Sequence, residues 1–574
     1  MFSEVHTSGW NTVFAFGAGL LLLWLAQSLV KKFLALRVAY KAVEAVPGGE
    51  LIWLHPFRSM APVLAPFFPF KDRIGNYYSN YDVYQKYGST ILGSVKFWGS
   101  TPTFWISDAD ALRTVSNNRS VFRRDIEGYE VVSVYGPNMV ATEGDAWKRY
   151  RSVAKPAFNE ANNRLVWQHA TRVVNEWFNA IDSQGFQNKP TLVELLKDCT
   201  EATLLILSSA AFGRHNAWSD HAGGDSSNTV HRIPFRPAVT SAVDNLVPKI
   251  LTPDWVFKLA EYLPMPKIVK ETQHSFIFLR LHMLDLINMA RDWISGGNND
   301  DSLDAALLQN LVKANLAQQH EEKDLLKRRL TDEELLSNTF MFLLAGHETS
   351  AHSLCFAITL MALYPDVQEK MYKEVKRLWP ELDGIPNAET VNSAGYKDDM
   401  ANLEYITAAF REALRLFPPV PRLASPVHTS TAVTSRLFST DNRSNMQSTV
   451  NQVNIPAGSL AVIDIIGLHR NPLHWGEDID QFKPERFIDT DSYTWPRDAF
   501  LAFSAGPRSC LGERFAMVES VCMLAHVARR YEVTVPEHLI GRSLAEQKKA
   551  LLEWVPRMTL IPMTASVCFT PRAD

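Results

Sequence analysis

Cysteine is scarce in this sequence: five in 574 residues, at Cys199, Cys355, Cys510, Cys522 and Cys568. The number is odd and the spacings are unpaired, which speaks against a disulfide framework and fits a reducing compartment. No C-x-x-C and no Cys/His cluster of ligand spacing is present, so a zinc site has nothing to rest on. A charge excess is missing too. The 58 Lys and Arg against 62 Asp and Glu leave a net charge of −4, which offers no basic surface to nucleic acid. No Gly-rich dinucleotide turn follows a strand-like run, and no internal repeat is visible.

What is present, first, is one long stretch without charge. Trp10 to Val30 reads WNTVFAFGAGLLLLWLAQSLV and as a helix spans roughly 30 Å, the hydrocarbon core of a bilayer. Lys31, Lys32, Arg37 and Lys41 follow it, whereas only Glu4 and His6 precede it. Basic residues flank the cytosolic end of membrane helices, so residues 31 onward are expected in the cytosol. A cleaved signal peptide is the rival reading. AQS at 26–28 is a faint cleavage-like site, but there is no basic segment ahead of the apolar run. Cytosolic placement would leave the N-R-S sites at Asn118 and Asn442 unmodified. Residues 1–44 are expected to form the anchor and the start of a linker, with residues 31–70, Pro-punctuated and apolar, read as that linker. Residues 45–574 are expected to form one catalytic domain.

That domain reads as mainly α with minor β. TPTFWIS (101–107) and LAVIDII (460–466) have strand character. Three polar stretches, 214–231, 295–301 and 429–452, read as surface loops. Thr331 and Glu334 form a capping box ahead of a helix that Pro365 stops after Tyr364. Its middle is apolar all round and should cross the core. Inside it sits AGHETS (345–350), where Gly346 weakens the helix. Two readings stand: a kinked core helix with Thr349 bonded back to a carbonyl, or an acid–alcohol pair, Glu348 and Thr349, facing a ligand where the helix opens locally. Further on, Glu412 and Arg415 share one face of an apolar helix, a pair that needs more partners if buried, and Arg486 is the candidate. Trp147 and Arg151, four apart in EGDAWKRYRSVAKPAF (143–158), are either an anion-holding pair or a plain cation–π contact.

The stretch FSAGPRSCLG (503–512) surrounds one cysteine with glycines and an arginine. Cys510 is either a small buried hydrophobe, as the other four are read, or a lone thiolate ligating a metal or cofactor. The second reading needs backbone N–H groups aimed at the sulfur and glycines that let a flat cofactor approach. Gly506, Arg508 and Gly512 fit that need.

Together these stretches resemble the cytochrome P450 family of haem-thiolate enzymes, over roughly residues 45–570. FSAGPRSCLG resembles its haem-binding loop F-x-x-G-x-R-x-C-x-G. AGHETS resembles its oxygen-activation motif, EALR with PERF its E-x-x-R and the following arginine, and WKRYR its W-x-x-x-R. The anchor resembles microsomal members and the long loops fungal ones. The resemblance implies haem b with Cys510 as axial ligand to the iron, and Phe503 shielding the sulfur. It implies Gly506 and Gly512 allowing close approach, and Arg508, Trp147 and Arg151 at the propionates, with Arg422 a weaker candidate. Glu348 and Thr349 would deliver protons during oxygen activation. The triad Glu412, Arg415 and Arg486 would hold the fold.

The implied activity is monooxygenation of a lipophilic small molecule with O₂. Electrons would come from an NADPH-cytochrome P450 reductase docked near Lys148, Arg149 and Arg514, at the endoplasmic reticulum membrane. A terpenoid, sterol or other secondary metabolite is favoured as substrate. Contacts are expected from residues 125–140 and 205–280, and from Phe340, Leu344, Val420 and Leu423. Alternatives are a fatty-acid hydroxylase, an O₂-independent isomerase or dehydratase, and a haem sensor without turnover. Some fatty-acid hydroxylases carry Glu where Ala345 stands, and the isomerases tend to lose the acid–alcohol pair.

Overall fold

The computed structural model describes residues 5–52, 73–184, 190–219, 233–260, 262–296, 306–317, 329–381, 385–387, 395–439 and 448–573. Asn442 and most of the polar stretches 214–231 and 295–301 lie outside them. The chain opens with helix α1 (Val5–Val43), about 58 Å long, of which Phe16–Val43 is long and apolar enough to cross a membrane. The expected linker is therefore partly structured. KKFLALRVAYKAV continues the helix because it is made of helix formers, and Pro47 and Gly48 end it. The last turns of α1 dock on the domain, with Ala39, Val43 and Val46 buried. Lys32 donates its ammonium to the Phe97 carbonyl and lies 4.6 Å from the Phe97 ring centre.

A five-stranded sheet receives that end. It is built from β1 (Gly48–Ile52), β2 (Ile91–Lys96), β3 (Thr101–Ile106), β4 (Arg422–Pro426) and a strand at Leu460–Asp464, in the order β1-β2-β3-(460–464)-β4. A hairpin of β5 (Thr431–Phe438) and β6 (Ser448–Ile455) stands where a surface loop was expected. The polar composition hid an alternating pattern: Val433 and Ser435 on one strand, and Val453 and Ile455 on the other, are buried at alternate positions. The strand Leu460–Asp464 is β7.

The helical body contains α2 (Gly144–Ala154), α3 (Glu160–Gln184), α4 (Leu195–Phe212), α5 (Phe235–Asp244), α6 (Lys267–Ser295), α7 (Asp332–Leu363), α8 (Glu404–Leu416) and α9 (Glu513–Arg530). Helix α7 crosses the core and touches α4, α8 and α9. Its start is the predicted capping box. The Thr331 N–H donates to Glu334 Oε2 at 2.9 Å, and the Glu334 N–H to Thr331 Oγ1 at 3.2 Å. It ends at Tyr364, and Pro365 opens the next helix. The helix does not open at Gly346; it is continuous from 332 to 363. Gly346 serves packing instead. A Cβ there would stand 3.1 Å from both Leu207 methyls, so its absence lets α4 approach.

Glu412 and Arg415 are both fully buried. Arg415 donates to Glu412 through Nε (2.6 Å) and Nη2 (2.8 Å), and to the carbonyls of His469 (2.8 Å) and Ile479 (2.9 Å). Arg486 lies 3.4 Å from Glu412 Oε1, and the Lys483 N–H donates to the same oxygen at 3.1 Å. Helix α8 is thus bound to the irregular segment 469–486. Removing one partner of such a pair leaves the other charge buried and uncompensated, at about 3–5 kcal/mol. Glu412→Ala is expected to lower the yield of folded protein and the unfolding midpoint sharply, read by thermal melts. A variant that melts like wild type would contradict this.

Candidate active site: a lone thiol facing an internal opening

The loop 501–512 presents Cys510. The Cys510 N–H donates to the Phe503 carbonyl at 2.9 Å, closing the loop. Gly506 has φ +66°, and a Cβ there would come within 2.6 Å of the Ser116 carbonyl, so only glycine fits. Gly512, which caps α9, is not demanded in this way. Its Cβ would meet Cys510 Sγ at 3.8 Å and Phe158 at 3.9 Å, both ordinary contacts. The N–H groups of Gly512 and Glu513 point at the sulfur, and Arg151 lies near enough to favour its ionised form. Burial outweighs them and holds the thiol above its ordinary value.

The thiol is nevertheless accessible. A sulfur enclosed deeply enough to be desolvated, yet reachable, faces an opening inside the protein. Ala345 shows the same on α7: it is exposed, with Phe342, Gly346 and Thr349 beside it only partly buried, on a helix whose other faces are in the core. Phe158 joins the two places. It lies against the Gly512 position and packs edge-on against Phe342, at 5.6 Å between ring centres.

Beside this loop stands a cluster of guanidinium groups. The Trp147 ring carries Arg119 at 3.8 Å, Arg508 at 4.4 Å and Arg151 at 5.8 Å. Arg508 donates to the Met139 (2.9 Å) and Thr142 (2.5 Å) carbonyls and pairs with Glu143. Arg119 donates to the same Glu143 at 2.7 Å, and Arg151 to the Ser509 carbonyl at 3.1 Å. Burial alone would raise the Glu143 carboxyl; its contacts with Arg508, the Arg124 N–H and Arg119 outweigh it and hold the group low. Burial, reinforced by Arg124 and Arg119 against the opposing Glu143, pushes Arg508 down to about 10, still charged at neutral pH. One carboxylate therefore stands among several cations. A cavity of about 40 Å³ lies among Arg119, Arg124, Glu143, Leu423 and Arg508.

The family model for cytochrome P450 matches residues 58–553. The chain belongs to the cytochrome P450 family. It is 32% identical over 552 residues to cytochrome P450 monooxygenase 124 of Postia placenta, covering 96% of this chain and 98% of that one. A cytochrome P450 monooxygenase of Arthrobotrys oligospora is 26% identical over 75% of this chain and 74% of its own. Another, from Penicillium roqueforti, is 25% identical over 77% and 76%. The protein is thus an oxidoreductase of the monooxygenase type. P450 enzymes use haem with a cysteine thiolate as axial ligand, and the residues here fit that group. Among the described residues no set of three His, Cys, Asp or Glu could hold a metal ion. The surplus of guanidinium charge matches the two carboxylates that haem carries.

Other candidates fall elsewhere in this P450. Arg422 is already bound: to Asp464 at 3.3 Å, and to the Gly75 (2.8 Å) and Asn76 (2.9 Å) carbonyls, between Tyr77 and Trp105. It is not among the guanidinium groups against the Trp147 ring. Arg149 pairs with Glu334 and the Arg329 carbonyl, so of the docking candidates only Lys148 and Arg514 are exposed. Phe340 and Leu344 are packed in the core, Phe340 edge-on to Tyr135 at 5.0 Å; it is Ala345 that is open. Sequence reasoning missed Arg119, Arg124 and Glu143, which reach Arg508 only through the fold. It also missed His469, which accepts the Leu501 N–H on Nε2 at 2.8 Å.

On α7 the Thr349 hydroxyl donates to the Ala345 carbonyl at 2.7 Å, and both residues sit on the accessible side. Burial first, then the Asp244 charge, raises the Glu348 carboxyl from 4.5 to about 7, against the opposing Arg557. Below about pH 4.5 the group is neutral in folded and unfolded chains alike. Between pH 4.5 and 7 only the unfolded chain ionises it, so stability falls as pH rises through this window and levels off above it. Glu348→Gln removes that loss. Its stabilisation relative to wild type is expected to be nil near pH 4.5 and on the order of 3 kcal/mol above pH 7, measured by denaturant melts. A gain independent of pH would show that Glu348 is not raised.

Proposed function

We propose that this P450 hydroxylates a lipophilic small molecule, a terpenoid, sterol or other secondary metabolite before a fatty acid. The observation that carries the reading is a lone, enclosed thiol facing an internal opening, with an acid–alcohol pair on the helix beside it. Haem, when bound, supplies oxygen activation and C–H oxidation. The chain's own residues do the rest. Cys510 would ligate the iron as a thiolate, the form that the Gly512 and Glu513 N–H groups and Arg151 favour against burial, while Phe503 shields the loop. Gly506 turns that loop, and Gly512 caps the helix that leaves it. Arg508 and Arg151, with Arg119 as a third member, hold the propionates against the Trp147 platform. Glu348, with a carboxyl near neutrality, holds a proton at working pH, and Thr349 orients its delivery. The small side chain at Ala345, in place of an acid, favours an apolar substrate over covalent attachment of the cofactor.

Reduced, CO-treated protein is expected to show the red-shifted Soret band of a thiolate haem. Cys510→Ala should abolish the band and Cys522→Ala should keep it; a retained band in Cys510→Ala would remove Cys510 from this role. With reductase present, Thr349→Ala should bind haem and still oxidise NADPH, but form less product and more peroxide. An unchanged product-to-NADPH ratio in both Thr349→Ala and Glu348→Gln would sink the proton-delivery assignment.

The electron donor proposed is NADPH-cytochrome P450 reductase, and the place proposed is the endoplasmic reticulum membrane, with one span and the catalytic domain in the cytosol. The exposed apolar face of α1 and the basic residues after it support this. Deleting residues 1–30 should release the protein from carbonate-washed membranes. Full-length protein recovered from the medium would contradict the topology.

A further inference from the structure

Helix α2 begins with a carboxylate that does not cap it. Glu143 is its N-cap residue, with extended backbone (φ −134°, ψ 171°), and an acid at that position ordinarily accepts an N–H of the first turn. The Glu143 side chain makes no such bond. It turns instead to cations from two distant parts of the chain. Arg119 donates to its Oε2 at 2.7 Å, Arg508 pairs with the same oxygen, and Oε1 accepts the Arg124 N–H at 3.1 Å. The group is largely enclosed: the Glu143 and Arg508 side chains are 14% exposed and that of Arg119 is 22% exposed. Arg151, two turns along α2, donates to the Ser509 carbonyl beside Cys510. Among the described residues Glu143 is the one acid that pairs with any of the three guanidinium groups on the Trp147 ring. Three cations less one anion leave two positive charges there, and the two carboxylates that haem carries cancel them. Without Glu143 the loaded platform would keep a positive charge.

We propose, on the P450 reading of the Cys510 loop, that Glu143 is a resident anion of the haem site whose charge lowers the reduction potential of the bound cofactor. Arg508 stands two residues before Cys510, so the carboxylate is tied to the segment that presents the thiolate. An electron delivered by a reductase adds one negative charge to the site. A fixed anion in poorly hydrated surroundings opposes that gain, and the charge and hydrogen bonding around a metal are among the levers by which a protein sets its potential. In this step no bond forms or breaks and no proton moves: one electron passes from the reductase to the ferric ion. Glu143 stays ionised throughout. Burial works against its charge, and Arg508, the Arg124 N–H and Arg119 outweigh burial. Glu143 touches neither substrate nor iron; it is a positioning residue that acts through two arginines.

Spectroelectrochemical titration of the haem-loaded, full-length enzyme without substrate reads the midpoint directly. Glu143→Gln, which keeps the size of the side chain and loses its charge, should move the midpoint to more positive potential. Glu143→Asp, which keeps the charge, should stay much nearer wild type. A tie that merely packs the loop predicts the reverse order, because the shorter Asp reaches the guanidinium groups less well than Gln does. If Glu143→Gln does not load haem, Arg119→Met tests the same charge from the other side: with a cation gone and the carboxylate kept, the midpoint should fall. A Glu143→Gln midpoint equal to wild type, a Glu143→Asp midpoint displaced as far as that of Glu143→Gln, or an Arg119→Met midpoint that rises would overturn the proposal. A wild type without the thiolate Soret band would instead sink the reading of the Cys510 loop, and this proposal with it.

Discussion

The bidentate pair of Glu412 and Arg415, with no access to water, is the contact on which the rest of this molecule hangs. Two such charges are stable in the interior only if every remaining donor and acceptor finds a partner, and here those partners come from afar. Arg415 reaches the carbonyls of His469 and Ile479. His469 answers by bonding the Arg415 carbonyl through Nδ1 at 3.2 Å and accepting the Leu501 N–H on Nε2. Burial, then the Arg415 charge, pushes this imidazole down to about 3, so it stays neutral and can do both. Leu501 opens the loop that ends at Cys510. The pair therefore does not merely hold a helix; it fixes where the thiol stands.

Charge near the opening is unevenly paired. Arg119 and Arg508 share a single carboxylate, Glu143, with Arg151 on the same Trp147 platform, while Glu348 has no ion pair among the described residues. In a protein of near-zero net charge, this is local imbalance held in place by packing. The cationic side is suited to anions brought by a cofactor, and the acidic side to protons.

Much of this was legible along the chain because it is local. Thr331, Glu334 and Pro365 mark the ends of α7 by capping and by the missing proline N–H. Glu412 and Arg415 are three residues apart, so their meeting needs only a helix. What stayed hidden is what sequence distance conceals. Arg119 and Glu143 join Arg508 across more than 360 residues, and nothing in the spelling of either segment announces it. Gly346 reads as a weakness in a helix, and only the neighbouring Leu207 shows that it is a seat for α4. The hairpin 431–455 was masked by Thr, Ser and Asn, which signal loops by composition although the alternation, with Val433 and Ser435 and then Val453 and Ile455 inward, is that of a strand. At Arg422 the resemblance pointed to an anion site, and Asp464 had already taken the guanidinium.

The continuity of α1 gives the proposed membrane attachment a mechanical character. A span joined to its domain by a flexible tether leaves the domain free to tumble above the surface. Here the same helix that would leave the bilayer ends with Ala39 and Val43 seated in the domain, and Lys32 is fastened to Phe97. It is a post rather than a leash. A domain mounted on a post keeps one tilt toward the lipid and turns only about the post. Its encounters with an electron donor in the same membrane then become a search by sliding and spinning in a plane, with height and inclination already set.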